Sequence, residues 1–249
     1  MARHRFLVRT LSNETPTVQL TGEEFHHLRV RRVEVGDQVV LFDGAGNEAD
    51  GTVESIGHTN AIIRPSPLRI GAGDPALDLT LAVAVIRPDR LDLVVEKATE
   101  LGAKRILFFT SDRTRRRVLT RRVARWERIA QEATKQCQRS TLPTVSGPVS
   151  FAEVIADSSG DLRILACEDA TLRETADLLS LHKQKPTCSS VSLLVGPEGG
   201  FSAPEIRNAG QAGFVACSLG RRILRTETAA LTALALVQFL WGDLGPLRA

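Results

Sequence analysis

Two stretches near the C-terminal end set glycines beside charged side chains in a pattern suited to holding a ligand: GPEGGFS at residues 196–202 and LGRRILRTET at residues 219–228. Residues 191–195 form a short β-favouring run that Gly196, Pro197, Gly199 and Gly200 cannot continue, so the chain must turn there with its backbone exposed. Such a loop before a helix suggests a phosphate cradle, yet no Lys-Ser or Lys-Thr pair follows and no GxGxxG is present, so a nucleotide loop has little support. The ligand must be of another kind.

The elements that position these loops are legible. Ser202 reads as a helix N-cap with Glu205 as its capping-box partner, and Phe201 and Ile206 stand at the staple positions. The second stretch repeats the plan. Residues 214–219 are strand-like, residues 220–225 form the loop, and Thr226 is expected to cap a helix with Glu227 in its first turn. Two successive strand-loop-helix crossings place both loops at the carboxyl edge of a sheet, where ligands of α/β folds bind.

GPEGGFS followed by LGRRILRTETA resembles the bacterial 16S ribosomal RNA (uracil-N3)-methyltransferases of the SPOUT superfamily. The resemblance covers nearly the whole chain and implies an α/β SPOUT domain with a parallel sheet and a deep trefoil knot, preceded by a small PUA-like β-barrel. Sequence physics would not predict the knot, since threaded chains are rare. The implied cofactor is S-adenosylmethionine, held against the loops by Leu194, Val195, Gly196, Pro197, Glu198, Gly199, Gly200, Leu219, Gly220, Ile223, Leu224 and Arg225. The implied chemistry is methyl transfer from a sulfonium to a ring nitrogen, for which the protein must chiefly align the reactants and exclude water. Uracil N3 bears a proton, and as it leaves, negative charge spreads onto the flanking carbonyl oxygens. Arg225 is the candidate cation for those oxygens, and Glu198 and Glu227 are the carboxylates that could take the proton. Glu198 could instead pair with Arg225 between loops, and Glu227 could simply favour the helix N-terminus.

The rest of the chain fits one two-domain enzyme. Its 249 residues are 43% hydrophobic and 24% charged, an ordinary globular composition, and the net charge of +3 identifies no partner by itself. The cysteines Cys137, Cys167, Cys188 and Cys217 lie far apart without CxxC spacing, so neither a metal site nor a disulfide framework is expected, and a reduced cytoplasmic setting is. Residues 6–8 are the one apolar core before Arg9, too short for a signal segment, and the apolar run 229–241 is too short to cross a membrane as a helix. That run is apolar on nearly all faces, which suggests a core helix or a homodimer contact.

Residues 1–64 read as mostly β, with runs at 5–8, 17–20, 38–42, 49–56 and 61–64 and one helix after a Thr21–Glu24 capping box. The glycines at 44 and 46 mimic a dinucleotide fingerprint, but a strand pattern follows them, which marks a hairpin. The proline- and glycine-rich stretch 65–75 is the expected boundary, giving domains 1–70 and 71–249. Beyond it come an apolar strand at 79–86, a helix opened by Pro88 and closed by Gly102, and a strand at 106–109. Residues 161–167 and 172–181 read as a further strand and helix, where Cys167, Glu168 and Asp169 could border the cofactor loops.

Two basic regions are candidate RNA surfaces. In the first domain Arg3, Arg5, Arg9, His26, Arg29 and Arg32 cluster in sequence with His27 and Arg31. Between Arg113 and Arg128 there are eight arginines against the single carboxylate Glu127. Apolar Val123, Trp126, Ala130, Ala133 and Cys137 keep helical spacing, leaving Arg121, Arg125, Arg128, Lys135 and Arg139 along another face. A one-signed stripe suits a polyanion, and Gln136, Arg139 and Pro143 also resemble the family's residues here. The implied partner is 16S RNA, within the 30S subunit. Methylation of a ribose hydroxyl or of tRNA, or an assembly factor without catalysis, are the alternatives.

Overall fold

The computed structural model describes residues 4–115, 122–167 and 176–245. The chain divides into two compact units, Met1–Asp74 with Thr134–Leu142, and Pro75–Ala133 with Pro143–Ala249. This differs from a single boundary in the 65–75 stretch, because residues 134–142 group with the first unit.

The first unit holds β1 (Arg5–Leu7), β2 (Val18–Thr21), α1 (Gly22–Val30), β3 (Gln38–Phe42), β4 (Asn47–Ile56), β5 (Asn60–Pro65) and β6 (Arg69–Ile70). Its sheet runs β1-β3-β4-β5-β2, with β6 paired to β4. The β3–β4 pairing is antiparallel across the 43–46 turn, as expected of a hairpin. Phe6, Leu20, Leu28, Leu41, Val53 and Ile63 form its core. The expected capping box of α1 does not form. Thr21 stands at the N-cap but accepts no hydrogen bond there, and Glu24 instead accepts from the Leu7 amide at 3.2 Å and from Lys135 Nζ at 2.5 Å.

The second unit adds β7 (Asp78–Ala84), α2 (Pro88–Glu100), β8 (Arg105–Thr110), α3 (Val123–Cys137, of which the last four residues count with the first unit), β9 (Thr144–Ser150), α4 (Phe151–Asp157), β10 (Leu162–Ala166), β11 (Ala176–Asp177), α5 (Leu178–Gln184), β12 (Ser190–Val195), α6 (Ala203–Gln211), β13 (Val215–Ser218) and α7 (Thr226–Trp241). The seven strands lie in the order β11-β13-β10-β12-β7-β8-β9, and every pairing is parallel. The expected helix over 172–181 starts later. Residues 172–175 lie outside the described residues, 176–177 pair with β13 as a strand, and α5 begins at Leu178 with Asp177 accepting from the Ser180 amide at 2.8 Å.

Near-continuous apolar strands follow from this layering. Successive side chains point to opposite faces, and both faces are covered. Leu79, Leu81, Val83, Phe108, Ile164, Leu193 and Val195 join one core with residues of α2, α3, α5 and α7; Ala82, Ala84, Phe109, Leu165 and Leu194 join the other with Phe151, Val154 and Ala209 of α4 and α6. Trp126 of α3 is fully buried, its ring 4.2 Å from that of Phe108, while its Nε1 donates to Asp92 Oδ1 at 3.0 Å. Among the described residues no helix is long and apolar enough to cross a membrane.

Candidate active site

The neighbouring strands β13, β10 and β12 run parallel, so their carboxyl ends open on the same edge of the second unit. A cleft of about 400 Å³ lies there, within the range of about 300–1,000 Å³ common for small-ligand sites. Val195 at the end of β12 lines it with Gly196, Pro197, Glu198, Gly199 and Gly200 of the loop that follows, and Leu219, Ile223 and Leu224 do so from the loop after β13.

The glycines have geometric reasons. A Cβ on Gly196 would sit 2.9 Å from the Phe201 ring, and Gly200 has φ +69°, a backbone conformation that L side chains rarely adopt. The Gly200 amide donates to the Pro197 carbonyl at 2.8 Å and closes the turn. Beyond it the capping box forms as read from sequence: Glu205 N–H donates to Ser202 Oγ at 3.3 Å and Ser202 N–H to Glu205 Oε2 at 2.8 Å.

Glu205 does more than cap. It is only 4% exposed, and its other oxygen accepts from the Asp112 amide at 2.9 Å, while Ser202 Oγ donates to Asp112 Oδ2 at 2.7 Å. The loop after β8 is thereby clamped to the start of α6, and its Arg113 lines the cleft with Nη1 donating to the Gly199 carbonyl at 2.9 Å. Sequence reading assigned Arg113 only to the arginine run. The signal that could have found it is its place just past the carboxyl end of the parallel strand β8.

Other expectations need correction. Leu194 is fully buried in the core beneath α6, and Gly220 and Arg225 are exposed and absent from the lining. Arg225 is the N-cap residue of α7 without a side-chain cap, so Thr226 is the first helical residue rather than the cap. Thr226 and Ala229 line the cleft, as does Cys167 at the end of β10; Glu168 and Asp169 lie outside the described residues. No Glu198–Arg225 ion pair is present among the described residues. Glu227 is 7% exposed with its carboxylate 3.6 Å from Arg90, so it serves the α2–α7 contact and not the cleft. Cys217 is buried beneath this edge, and burial with the nearby Asp177 charge pushes its thiol up to about 12.

The basic candidates separate into surface and core. In the first unit Arg9, His26, Arg29 and Arg32 are exposed, while Arg3 lies outside the described residues. Arg5 and Arg139 are not surface groups. Arg5 is 8% exposed, and its Nη2 donates to Glu48 Oε2 at 2.9 Å, Ser140 Oγ at 2.9 Å and the Arg139 carbonyl at 3.0 Å, with its guanidinium 5.1 Å from the Phe42 ring centre. Arg139 is 2% exposed and its Nε donates to Asp74 Oδ1 at 3.0 Å. Asp74 Oδ2 also accepts from the amides of Ser140 and Thr141 at 2.9 Å each. These bonds are why residues 134–142 belong with the first unit. Burial of Glu48 works against its charge, but hydrogen bonds from Ser140 and Arg5 and the charges of Arg5 and Arg69 hold its carboxyl below the usual range. Lys135 is likewise buried on Glu24. On α3, Arg125 and Arg128 are exposed, Arg125 reaching Asp92 Oδ2 at 2.8 Å, and Arg121 lies outside the described residues.

A parallel α/β unit with a glycine-lined cleft at its carboxyl edge, joined in one chain to a β-rich unit with exposed arginines, is the architecture of an enzyme that modifies RNA. The chain belongs to the RNA methyltransferase family: its RNA methyltransferase domain matches residues 74–238, and its RNA methyltransferase PUA domain matches residues 20–66. Among relatives, ribosomal RNA small subunit methyltransferase E of Bacillus subtilis is 30% identical over 233 residues, covering 91% of each chain. The protein of the same name from Synechocystis is 32% identical over 225 residues, covering 90% of this chain and 73% of its own. The crystal structure of ribosomal RNA small subunit methyltransferase E from Neisseria gonorrhoeae bound to S-adenosyl methionine is similar at TM-score 0.87 and 30% identity, covering 97% of this chain and 99% of that one.

Proposed function

We propose that this protein transfers a methyl group from S-adenosylmethionine to N3 of a uridine in 16S ribosomal RNA. The observation that carries this reading is the cleft at the carboxyl ends of β10, β12 and β13, lined by both motif loops. Its residues fit the cofactor: Leu219, Ile223 and Leu224 offer apolar surface for a purine, and the 196–200 loop offers backbone where side chains would crowd the space. When bound, the sulfonium supplies an already electrophilic methyl group, so the chain's own task is to bind, orient and exclude water. Glu198 is the carboxylate of the cleft and the proposed proton acceptor. Arg225, next to the cleft in sequence, keeps at most a role at its rim.

The reading extends to a trefoil-knotted SPOUT domain over 71–249 and a PUA-like barrel over 1–70, with the enzyme cytoplasmic and the substrate presented in the 30S subunit. A homodimer through α7 is supported by Leu236 and Phe239, which stay 38% and 53% exposed on an otherwise apolar helix; a single monomeric species in sedimentation at micromolar concentration would oppose it.

The deciding experiment incubates the protein with S-adenosylmethionine carrying a labelled methyl group and with unmethylated 30S subunits or free 16S RNA, then identifies the labelled nucleoside. Labelled 3-methyluridine is expected; label on ribose or on another base would replace the substrate assignment.

RNA holding is proposed for Arg9, His26, Arg29 and Arg32 in the first unit and for Arg125 and Arg128 on α3. Replacing Arg9, Arg29 and Arg32 together by alanine is expected to weaken RNA binding and flatten the plot of log affinity against log salt, by about 0.7–0.9 for each phosphate that is no longer neutralised. Cofactor affinity should stay unchanged. An unaltered salt slope would remove these three residues from the RNA surface.

A further inference from the structure

We infer that Arg113 is the catalytic cation of this site, donating to the uracil carbonyl oxygen on which charge develops as N3 is methylated. The inference rests on the proposed reaction at uridine N3. Among the described residues lining the cleft, Arg113 and Glu198 are the only charged side chains. Glu198 neighbours Gly199 in sequence, and Arg113 is bonded to Gly199 through its carbonyl. Arg225 is outside the lining, and Glu227 is held by Arg90.

Arg113 is exposed, but its headgroup is placed. The Asp112 amide on Glu205, the Asp112 carboxylate on Ser202 and Arg113 Nη1 on Gly199 fix the loop and the guanidinium together. A donor held in position before the substrate arrives needs little reorganisation during reaction, which is what makes such donors effective. One guanidinium nitrogen is engaged with Gly199, and the remaining N–H groups have no partner among the described residues. They suit a planar acceptor edge, to which arginine can donate through two parallel bonds.

The step balances with the two groups present. The uracil N3 lone pair forms the new bond to the methyl carbon, the carbon–sulfur bond breaks with its electron pair retained by sulfur as a neutral thioether, and the N3 proton passes to the Glu198 carboxylate. Negative charge on the flanking carbonyl oxygen is greatest while the proton has left and the methyl group has not fully arrived. Arg113 donates there.

The test uses the full chain with Arg113→Ala, Arg113→Lys and Arg225→Ala. Each is measured for S-adenosylmethionine affinity by calorimetry and for single-turnover transfer to 16S RNA containing uridine or 5-fluorouridine, whose N3 proton is more acidic. Arg113→Ala is expected to slow transfer to uridine roughly 10²–10³-fold, as loss of one oxyanion donor does, with a much smaller loss of cofactor affinity from the Gly199 bond that it also removes. The defect should shrink on 5-fluorouridine RNA, because less charge needs stabilising, and Arg113→Lys should recover part of the rate. Arg225→Ala should lose far less.

A fall in cofactor affinity equal to the fall in rate, an unchanged rate, or the same defect on both RNAs would overturn the inference. Wild-type protein that labels uridine N3 upholds the underlying reaction whatever Arg113 does; wild-type label elsewhere overturns that reaction and the inference with it.

Discussion

Replacing Glu205 with alanine is expected to weaken S-adenosylmethionine binding about tenfold or more, although Glu205 does not line the cleft. Its two carboxylate oxygens accept from the amides of Ser202 and Asp112. Removing them leaves two part-buried N–H groups unpaired, each costing about 1–3 kcal/mol. The relief available to the chain is to release the loop after β8 or the first turn of α6, and either movement disturbs the turn at 196–200. A tenfold loss of affinity corresponds to about 1.4 kcal/mol, less than the strain that the substitution introduces, so the effect is well within reach. Glu205→Gln keeps one acceptor oxygen and should lose less. Calorimetric titration of both variants measures this, and wild-type affinity in Glu205→Ala would show that the cleft keeps its shape without the clamp.

The second large effect is on stability. Arg139→Ala is expected to destabilise the first unit by about 3–5 kcal/mol, the range for removing one partner of a buried pair. Arg139 is 2% exposed and Asp74 loses a charged donor at 3.0 Å, while still accepting from two amides. Urea unfolding of the variant should show a lower midpoint, and the double replacement with Asp74→Ala should cost less than the two single costs added, because the residues share one interaction. The salt dependence of RNA binding should keep its wild-type slope in the folded variant. A reduced slope with unchanged stability would return Arg139 to the RNA surface.

The strands around the cleft, the 196–202 turn and the Ser202–Glu205 box were legible because each depends on neighbours within four residues: glycine ends a strand, and serine followed three residues later by glutamate caps a helix. Nine of the twelve expected cofactor residues line the cleft for the same reason, since both motif loops follow strands that end at one edge. Leu194, expected to meet the ligand through its backbone, packs its side chain in the core, because a strand residue's face is set by register against neighbouring strands.

The arginines mark where sequence runs out. On a helical projection Arg125, Arg128, Lys135 and Arg139 look alike, but Lys135 and Arg139 meet Glu24 and Asp74, which lie 111 and 65 positions away. The Thr21–Glu24 box failed for the matching reason: Glu24 has a stronger partner in Lys135 than in its own helix. Arg113 makes the reverse point. Apart from its place just past the end of β8, its neighbourhood does not distinguish it from the arginines beside it, and it reaches the cleft because Asp112 meets residues 90 and 93 positions further on.

The sequence by itself determined the layered α/β plan, the two loops and the family they belong to, because hydrophobic period, glycine turns and caps are written in short stretches. Only the tertiary structure decided which charges are buried pairs, which are exposed, and which cation stands in the cleft. An ion pair depends on the separation of two side chains in space, and chain folding fixes that distance between residues whose sequence spacing carries no sign of it.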